Sequence, residues 1–557
     1  MINEIMQAQE KIELEEELKA ASPQSANLAF AALGENARDR SKIALVWEGR
    51  NGRREVFSFF EIEKTSNRIA NILTDLETSF GDRVFTLLGR TPELYATIPA
   101  VMKIGAAVAV LFPDFGPEAI RQRLADAGAS VLITDAANLE KVAPICRQVP
   151  SLKHVLVIGD FKEKNLPACE VEFHDFNELV KNAAAEFATV AVSPDDVCFL
   201  IYTSGTTGLP KGVVHCHQIR ERLIDSAKTV LQLEPDDFFW CSADAGWVTG
   251  LCYGIFAPWL LGFPILIYEG EFDAARWLDI LERNQVTCFY TTPTLLRLLR
   301  NEVGDISPHR NFALRRVYSV GEPLNPEVIK WAERTFEAQV FDNYWQTETG
   351  SFIIANRPNM LVKRGAMGKA VEGVQVSIID NSGREVPNGV VGDIAIRPTL
   401  TSLFKGYWNF PEATRACFRA GWYITRDRGK RDTDGYFWFM ARNDDVIMCE
   451  AQRIGPFEVE NALLSHPAIV ESAAVGAKDE MTTEHVKAFV VLKKNFTASR
   501  KLAEEIAAHV RMQLSPLATP REIEFCAELP KTRSGKIQRH LLRRKENFDK
   551  QKVFIIE

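Results

Sequence analysis

The sequence lacks several features that would place it in other classes of protein. Its 557 residues contain no C-x-x-C pair, and the most apolar region, 255–267, is interrupted by Pro258, Gly262 and Pro264, so no membrane span is expected. Lys and Arg total 66 against 74 Asp and Glu, a net charge of −8 with a pI near 5.8, which argues against a nucleic-acid partner. The charged N-terminal stretch has no signal-peptide core, which favours a cytoplasmic location.

The ten cysteines are scattered, and several lie inside apolar runs. This pattern predicts buried free thiols in a reducing compartment and not disulfides or zinc sites. The run His215-Cys216-His217 is the only cluster with metal-ligand character. Because adjacent residues of a strand point to opposite faces, we interpret this run as ordinary packing.

The chain is long enough for at least two domains, and its rhythm predicts an α/β fold. Most of the first 400 residues alternate strand-like runs such as 84–89 with helical patterns such as 92–104, which indicates parallel sheets covered by helices. From about Gly373 short strands and tight turns predict a β-rich subdomain. After Asp444 a small α+β unit follows, with helices predicted over 456–464 and 501–513. We therefore predict an N-terminal domain over 1–443 and a mobile C-terminal domain over 444–557, hinged near Asp444.

The stretch YTSGTTGLPKG, residues 202–212, combines hydroxyl side chains, glycines and one lysine. Such a loop can bend closely around phosphate and present N–H and O–H groups to it. It is not a Walker A loop, because Lys211 follows Gly208 by three residues and the sequence after it is strand-like instead of helical. The alternative is a plain turn between two strands.

Further motifs follow in a fixed order: GEP at 321–323, YWQTETG at 344–350, GWYITRD at 421–427 and KTRSGKIQR at 531–539. With the opening loop they resemble the acyl-adenylate-forming (AMP-forming) superfamily of acyl-CoA synthetases, adenylation domains and luciferases. The stretches WCSADAGWVTG, SVGEPLNPE and LFKGYWNFPEAT are most similar to acetyl-CoA synthetase-like members. The resemblance runs over most of the chain.

The resemblance implies a reaction and a set of ligands. A carboxylate attacks the α-phosphorus of ATP to give an acyl-AMP and pyrophosphate, and CoA then takes the acyl group. Positioning and charge neutralisation lower the barrier of such a step, since both reactants are anions. Thr347 is expected to bind the α-phosphate, Glu348 to hold Mg²⁺ and Asp427 to grip the ribose. The other nucleotide- and cofactor-binding residues implied are Thr203, Ser204, Gly205, Thr206, Thr207, Lys211, Gly321, Glu322, Pro323, Gln346, Arg442 and Arg453.

Two further expectations concern the acid and its activation. Trp345 occupies the position at which acetyl-CoA synthetase-like members place an indole beneath the acyl group, and Val248, Thr249 and Val320 match the other walls of a short pocket. Acetate or propionate therefore fits best. Lys536 is implied as the catalytic lysine that the C-terminal domain brings to the carboxylate and the α-phosphate. The alternative for Lys536 is a solvated basic tail.

Three glycines of the family pattern are replaced, by Arg426, Ala441 and Ala451. The last position belongs to the loop that forms the thiol tunnel in the family, and Glu450 adds a negative charge there. Three readings stay open: a working acyl-CoA synthetase with a modified tunnel, an adenylating enzyme that delivers its acyl group to an amine or carrier thiol, and a non-catalytic nucleotide-binding relative. The sequence leaves the exact acid and the oligomeric state undetermined.

Overall fold

The structure is a computed structural model that describes residues 26–160, 170–204, 210–304, 310–442, 445–449, 452–479, 483–531, 537–544 and 553–556. Its strands are β1 (Ile43–Glu48), β2 (Arg54–Ser58), β3 (Arg83–Leu87), β4 (Ala107–Leu111), β5 (Val131–Asp135), β6 (His154–Ile158), β7 (Glu172–Asp175), β8 (Val197–Ser204), β9 (Pro210–Cys216), β10 (Phe239–Cys241), β11 (Ile265–Tyr268), β12 (Cys288–Thr291), β13 (Arg316–Ser319), β14 (Gln339–Tyr344), β15 (Ile354–Ala355), β16 (Lys369–Ala370), β17 (Val376–Ile379), β18 (Gly392–Ile396), β19 (Gly406–Tyr407), β20 (Phe418–Arg419), β21 (Trp422–Arg431), β22 (Phe437–Arg442), β23 (Ile447–Cys449), β24 (Gln452–Ile454), β25 (Ile469–Asp479), β26 (Thr483–Leu492), β27 (Glu522–Phe525) and β28 (Val553–Ile555).

The helices alternate with these strands over most of the chain. They are α1 (Phe59–Asp75), α2 (Pro92–Lys103), α3 (Pro117–Ala127), α4 (Leu139–Val142), α5 (Phe176–Asn182), α6 (Ile219–Ser226), α7 (Val248–Leu251), α8 (Ala257–Leu260), α9 (Ala274–Arg283), α10 (Pro293–Val303), α11 (Pro326–Phe336), α12 (Pro411–Arg415), α13 (Pro456–Leu464), α14 (Arg500–Gln513) and α15 (Arg539–Arg544). Short 3₁₀ or π turns lie at Phe30–Gly34, Asn36–Arg38, Ala136–Asn138, Ala143–Gln148, Ala227–Leu231 and Cys252–Phe256.

The chain forms two compact units. Unit 1 takes the residues up to Phe272 together with Gln346–Ser351 and Thr399–Ala416, and unit 2 takes Asp273–Trp345, Phe352–Pro398 and the chain from Cys417 onward. In unit 1 one sheet has the order β19-β9-β8-β4-β3-β5-β6-β7. Its strands from β8 to β7 pair in parallel, whereas β8, β9 and β19 pair antiparallel. Strands β10, β11 and β1 form a second parallel group, with β2 antiparallel to β1.

Local chemistry explains why unit 1 folds this way. Helix α1 begins at a capping box in which Ser58 and Glu61 satisfy each other's backbone N–H groups. The parallel strands are almost wholly apolar, as expected when helices cover both faces of a sheet. Lys103, at the end of α2, is buried and donates to Glu63, Ser66 and Asn67 of α1 at 2.6 Å in each case. This bonding offsets the cost of burying an ammonium group and fixes α2 against α1.

Unit 2 contains three groups of strands. Strands β12, β13 and β14 are parallel, and β15 and β16 extend them antiparallel. An antiparallel sheet follows in the order β17-β18-β21-β20, with β22 on β21. The last sheet has the order β24-β23-β26-β27-β28, with β25 on β26, and α13 and α14 pack on its apolar core. These groups match the expected parallel region, β-rich region and terminal α+β region.

The predicted α/β class is confirmed. Helix α13 has the predicted bounds, and the predicted run 92–104 becomes α2, which ends one residue earlier. Residues 202–204 end β8 and residues 210–212 begin the antiparallel strand β9, in agreement with a strand after Lys211. Among the described residues no helix is long and apolar enough to cross a membrane. The domain boundary at 443/444 falls outside the described residues and stays a prediction.

Candidate active site

The ends of the phosphate-type loop are rigid parts of the sheet in unit 1. Thr203 pairs with Lys211 and Ser204 with Pro210 at the junction of β8 and β9. The Thr203 hydroxyl donates to the backbone carbonyl of Lys211 at 3.5 Å. Lys211 is buried, and its ammonium lies 5.3 Å from the centroid of the Tyr407 ring. The predicted residues Gly205, Thr206 and Thr207 lie outside the described residues.

The turn Gln346–Ser351 is fixed by hydrogen bonds inside unit 1. The N–H of Gln346 donates to Thr349 Oγ1 at 2.9 Å, and the N–H of Gly350 donates to the Gln346 carbonyl at 3.2 Å. His215 Nε2 donates to the carbonyl of Thr347 at 2.7 Å. Burial lowers the pKa of His215 to about 4, against the opposing effect of its backbone hydrogen bonds, so the ring is neutral at pH 7. A hydrogen bond from a buried imidazole thus fixes the backbone at Thr347.

Glu348 is held on two sides. Its carbonyl accepts the N–H of Phe404 at 2.7 Å, and its Oε1 accepts the hydroxyl of Tyr407 at 2.6 Å. A carboxylate offers about four lone-pair sites, so one phenol leaves capacity for a cation. Carboxylate oxygen is also the ligand type that Mg²⁺ prefers. The residue present at this position therefore fits the metal that the motif implies.

The remaining predicted residues of unit 1 lie at the start of a helix. Val248 and Thr249 are the first two residues of α7, and Val248 is buried while Thr249 is half-buried. Gly250, the next residue, could not carry a side chain, because its Cβ would lie 2.1 Å from the carbonyl oxygen of Asp244. Helix α7 is thereby packed directly on the backbone before it, and the two predicted wall residues have a fixed position.

In unit 2, Trp345 is a buried indole with defined neighbours. Its Nε1–H donates to the hydroxyl of Tyr290 at 3.2 Å, and its ring meets Phe352 edge to face at 5.9 Å between centroids. Tyr290 in turn donates to Asn343 Oδ1 at 2.9 Å. Val320, the other predicted wall residue of this unit, is 4% exposed and follows β13. The indole is therefore fixed in place by both a hydrogen bond and packing.

The Gly321-Glu322-Pro323 turn follows directly. Gly321 has φ +92°, a left-handed conformation that favours glycine. Both carboxylate oxygens of Glu322 accept from the Thr294 hydroxyl at 2.8 Å, and Oε2 accepts from Arg297 at 2.6 Å. The Glu322 side chain is therefore bonded to α10, and it fixes the turn against that helix.

Asp427 lies in an irregular part of strand β21. One residue of β18 separates Asp393 from Ala395, whereas three residues of β21 separate their partners Arg428 and Ile424. Such a bulge bends the strand and re-aims its side chains. It places Asp427 Oδ2 at 2.6 Å from the donating hydroxyl of Tyr344.

The surroundings of Asp427 keep that carboxylate in place. Burial, and next the charge of Asp427, hold the pKa of the Tyr344 phenol well above its usual range, so the phenol remains a donor. The predicted Arg442 pairs with Asp427 across β21 and β22, with its Nε 3.7 Å from Oδ1. The pairing of β21 with β22 thus brings together Asp427 and Arg442, two predicted residues that are 15 positions apart in the sequence.

A small cavity lies within unit 2. Its lining includes Glu322 and Pro323 together with Lys531 and Ile537. Lys536, the predicted catalytic lysine, lies outside the described residues. Arg453 lies in β24, opposite Met448 of β23, on the same terminal α+β region.

The replaced glycines differ in their surroundings. Arg426 has φ +63°, in the left-handed region, so its position has the backbone conformation that glycine favours. Ala441 lies buried in β22 opposite Arg428, next to a shift in the register between β21 and β22. Ala451 lies outside the described residues.

Several residues around the site were not assigned to it from the sequence. Tyr407, His215, Tyr344 and Arg297 each touch a predicted residue from a distant point in the chain. For Tyr407 and Glu348 the separation is 59 positions. Local patterns cannot reveal such pairs; the only available signal was the presence of Tyr407 in the LFKGYWNF stretch and of Tyr344 beside Trp345.

Comparison with known proteins gives consistent matches over both parts of the chain. Residues 34–408 match the sequence model of the AMP-binding enzyme family, and residues 458–536 match that of the AMP-binding enzyme C-terminal domain. An acetyl-coenzyme A synthetase of Bacillus subtilis (strain 168) is 40% identical over 522 residues, covering 93% of this chain and 90% of that protein.

Two solved structures of CoA ligases are also similar to this chain over most of its length. The crystal structure of a Brucella canis acyl-CoA synthetase is 39% identical with a TM-score of 0.72, and each chain is covered to 93%. That of the anthranilate CoA ligase AuaEII in complex with anthranoyl-AMP is 28% identical with a TM-score of 0.85, covering 93% of this chain and 96% of the other.

Proposed function

Because the chain belongs to the AMP-binding enzyme family and is an AMP-forming acyl-CoA ligase, we propose that its acid is a short-chain carboxylate such as acetate or propionate. The observation that carries this proposal is Trp345, a buried indole locked by Tyr290 and Phe352. A fixed indole leaves room for few carbons, since overpacking costs about 1–3 kcal/mol whereas one more buried methylene gains only about 0.8 kcal/mol. The relatives named acetyl-coenzyme A synthetase support the same class of acid.

The family uses ATP, CoA and Mg²⁺, and we assign the triphosphate to residues of unit 1. The loop from Thr203 to Lys211 binds the outer phosphates, and Gln346 and Thr347 present donors to the α-phosphate. Glu348, positioned by Tyr407, holds Mg²⁺, which when bound neutralises phosphate charge. The buried neutral His215 keeps the Thr347 backbone in place.

We assign binding of the nucleoside to residues of unit 2. Asp427 accepts hydrogen bonds from the ribose hydroxyls, with Tyr344 and Arg442 holding its carboxylate in position. The backbone of Gly321, Glu322 and Pro323 lines the adenine site, since the Glu322 carboxylate is bonded to Arg297 and Thr294. We assign Val248, Thr249 and Val320 to binding of the acyl group by their positions in the family's motifs.

Lys536 is the proposed catalytic lysine for adenylate formation. Its ammonium stabilises the charge that develops between the attacking carboxylate and the α-phosphorus. Lys531 and Ile537, on either side of its segment, line the cavity that Glu322 and Pro323 also line, which supports this role. CoA then accepts the acyl group, its thiol attacking the acyl carbonyl and releasing AMP, with Arg453 guiding the cofactor.

Pyrophosphate release from ATP with a panel of straight-chain acids tests the proposal. Acetate and propionate are expected to give the highest kcat/KM, and product formation requires CoA. Trp345→Gly is expected to lower kcat/KM for acetate by at least about tenfold and to raise it for acids with four to six carbons, since the space of the indole becomes available.

Trp438→Gly is the matched control for Trp345→Gly. Trp438 is a half-buried indole of β22 whose N–H donates to Asp432 at 3.2 Å, so its removal costs stability without opening an acyl pocket. An unchanged preference for acetate in Trp345→Gly, or an equal broadening in Trp438→Gly, contradicts the acid assignment. Pyrophosphate release without any CoA-dependent product contradicts the assignment of CoA as acceptor.

A further inference from the structure

Three potential metal ligands meet at one end of the large sheet of unit 1. Strand β7 is the last strand in that sheet's order and pairs in parallel with β6. The register places His154 of β6 opposite Glu172 of β7, and His174 lies two residues after Glu172. Because side chains two residues apart on a strand share a face, the sheet brings all three to one face. This group could not be predicted from the sequence, because His154 is distant in the chain from Glu172 and His174, unlike the adjacent residues His215-Cys216-His217.

The distances suit a small divalent cation. His154 Nδ1 and His174 Nε2 are 3.2 Å apart, and Glu172 Oε2 lies 3.7 Å from the former and 3.8 Å from the latter. Ligands placed tetrahedrally at about 2.0–2.1 Å from Zn²⁺ stand roughly 3.3 Å from one another. The two imidazole nitrogens are at that spacing already, and the carboxylate needs to move by only about 0.5 Å.

The exposure of the group also fits a metal site. The facing nitrogens His154 Nδ1 and His174 Nε2 form a hydrogen bond, so one of them carries a proton. Moving that proton to the outer nitrogen of the same ring leaves a lone pair on both facing nitrogens, so metal binding requires a change of tautomer. The imidazoles are only 15% and 20% exposed, which limits their motion, whereas Glu172 is 69% exposed.

We propose that His154, Glu172 and His174 form a binding site for Zn²⁺ or a similar divalent metal. Two imidazoles and one carboxylate are a ligand set typical of zinc, and the exposed side of the site leaves a fourth position for water. The bound cation joins β7 to β6 and so stabilises the last strand of the sheet. Within the described residues this is the one group of three such ligands whose donor atoms lie within 4.8 Å of one another. It shares no residue with the proposed nucleotide and acyl sites.

Competition for Zn²⁺ against a chromophoric chelator tests the site on the metal-free, full-length protein. The unmodified protein is expected to bind one more Zn²⁺ than His174→Ala, or to bind it at least about a hundredfold more tightly, because even outer partners of metal ligands change affinity roughly 10–100-fold. Co²⁺ is expected to give the intense visible absorption of a four-coordinate site in the unmodified protein only. Zn²⁺ should also raise the thermal midpoint of the unmodified protein more than that of His174→Ala.

His509→Ala is the matched control. His509 and His466 form another pair of neighbouring imidazoles, 5.3 Å apart between centroids, and no third ligand among the described residues completes a comparable group there. This variant should retain full Zn²⁺ binding, and Glu172→Gln, at an exposed position, should fold normally and still lose affinity. Equal Zn²⁺ affinity and stoichiometry in the unmodified protein, His174→Ala and Glu172→Gln would overturn the proposal. So would a loss in His509→Ala as large as that in His174→Ala.

Discussion

At the scale of one residue, Arg426 stands in a conformation that its side chain disfavours. Its φ of +63° lies in the left-handed region, which costs an L-residue about 1–2 kcal/mol. The side chain gains little in return, since Arg426 Nη2 lies 4.0 Å from Cys417 Sγ. We expect Arg426→Gly to raise the free energy of unfolding by about 1 kcal/mol, as relief of strain exceeds the greater freedom of glycine in the unfolded chain. Urea unfolding followed by fluorescence measures it.

Arg431→Gly is the control for this substitution, on the same strand. Arg431 pairs regularly with Phe437 across β21 and β22, and its Nε donates to Asn388 at 3.1 Å. Glycine should therefore lower stability here, by roughly 0.5–1 kcal/mol. If Arg426→Gly is destabilising as well, the left-handed conformation is not the reason that the family pattern carries glycine at this position.

At the scale of a structural element, the turn Gln346–Ser351 depends on Gly350. Gly350 has φ +65°, and a Cβ there would lie 2.6 Å from the Ser402 carbonyl and 2.8 Å from the His215 ring. Gly350→Ala must therefore move the turn that presents Thr347 and Glu348. We expect a loss of at least about 2 kcal/mol in stability and a drop in pyrophosphate release of more than about tenfold.

Gly389→Ala separates backbone strain from the steric clash. Gly389 is also left-handed, with φ +85°, but no atom lies within 4 Å of the position its Cβ would take. This variant should lose only about 1 kcal/mol and keep full activity. Equal behaviour of the two alanine variants would show that the turn does not depend on close packing against Ser402 and His215.

At the scale of the whole molecule, the sequence was informative wherever structure depends on local pattern. The helix Pro456–Leu464 could be predicted with both ends, because proline favours the first turn and the apolar residues follow the helical period. The Thr347–Glu348 turn was found through its motif. Contacts between distant segments, such as Tyr407 on Glu348 and His154 on His174, could not be predicted, since they depend on strand order and register. The bulge of β21 that includes Asp427 could not be predicted either, because it also depends on strand register.

The stability of the folded chain should fall in mild acid because of its buried histidines. Burial lowers the pKa of His215 and of His217 to about 4, whereas an unfolded histidine titrates near 6.5. The folded state therefore binds fewer protons between these values, so its stability is complete above pH 6.5 and is lost as the pH falls towards 4. Between pH 6.5 and 5, above the usual carboxylate range, each ring should contribute a loss of about 1.5 kcal/mol.

Urea unfolding at a series of pH values distinguishes this cause from others. His217 Nδ1 accepts the N–H of Leu28 at 3.0 Å, a bond that glutamine can keep through its amide oxygen without a titrating group. His217→Gln should therefore reduce the loss between pH 6.5 and 5 by about 1.5 kcal/mol, even if its stability at pH 7 is lower. His540→Gln, which removes an exposed histidine, is the control. The same slope in all three proteins would place the pH sensitivity elsewhere than in the buried histidines.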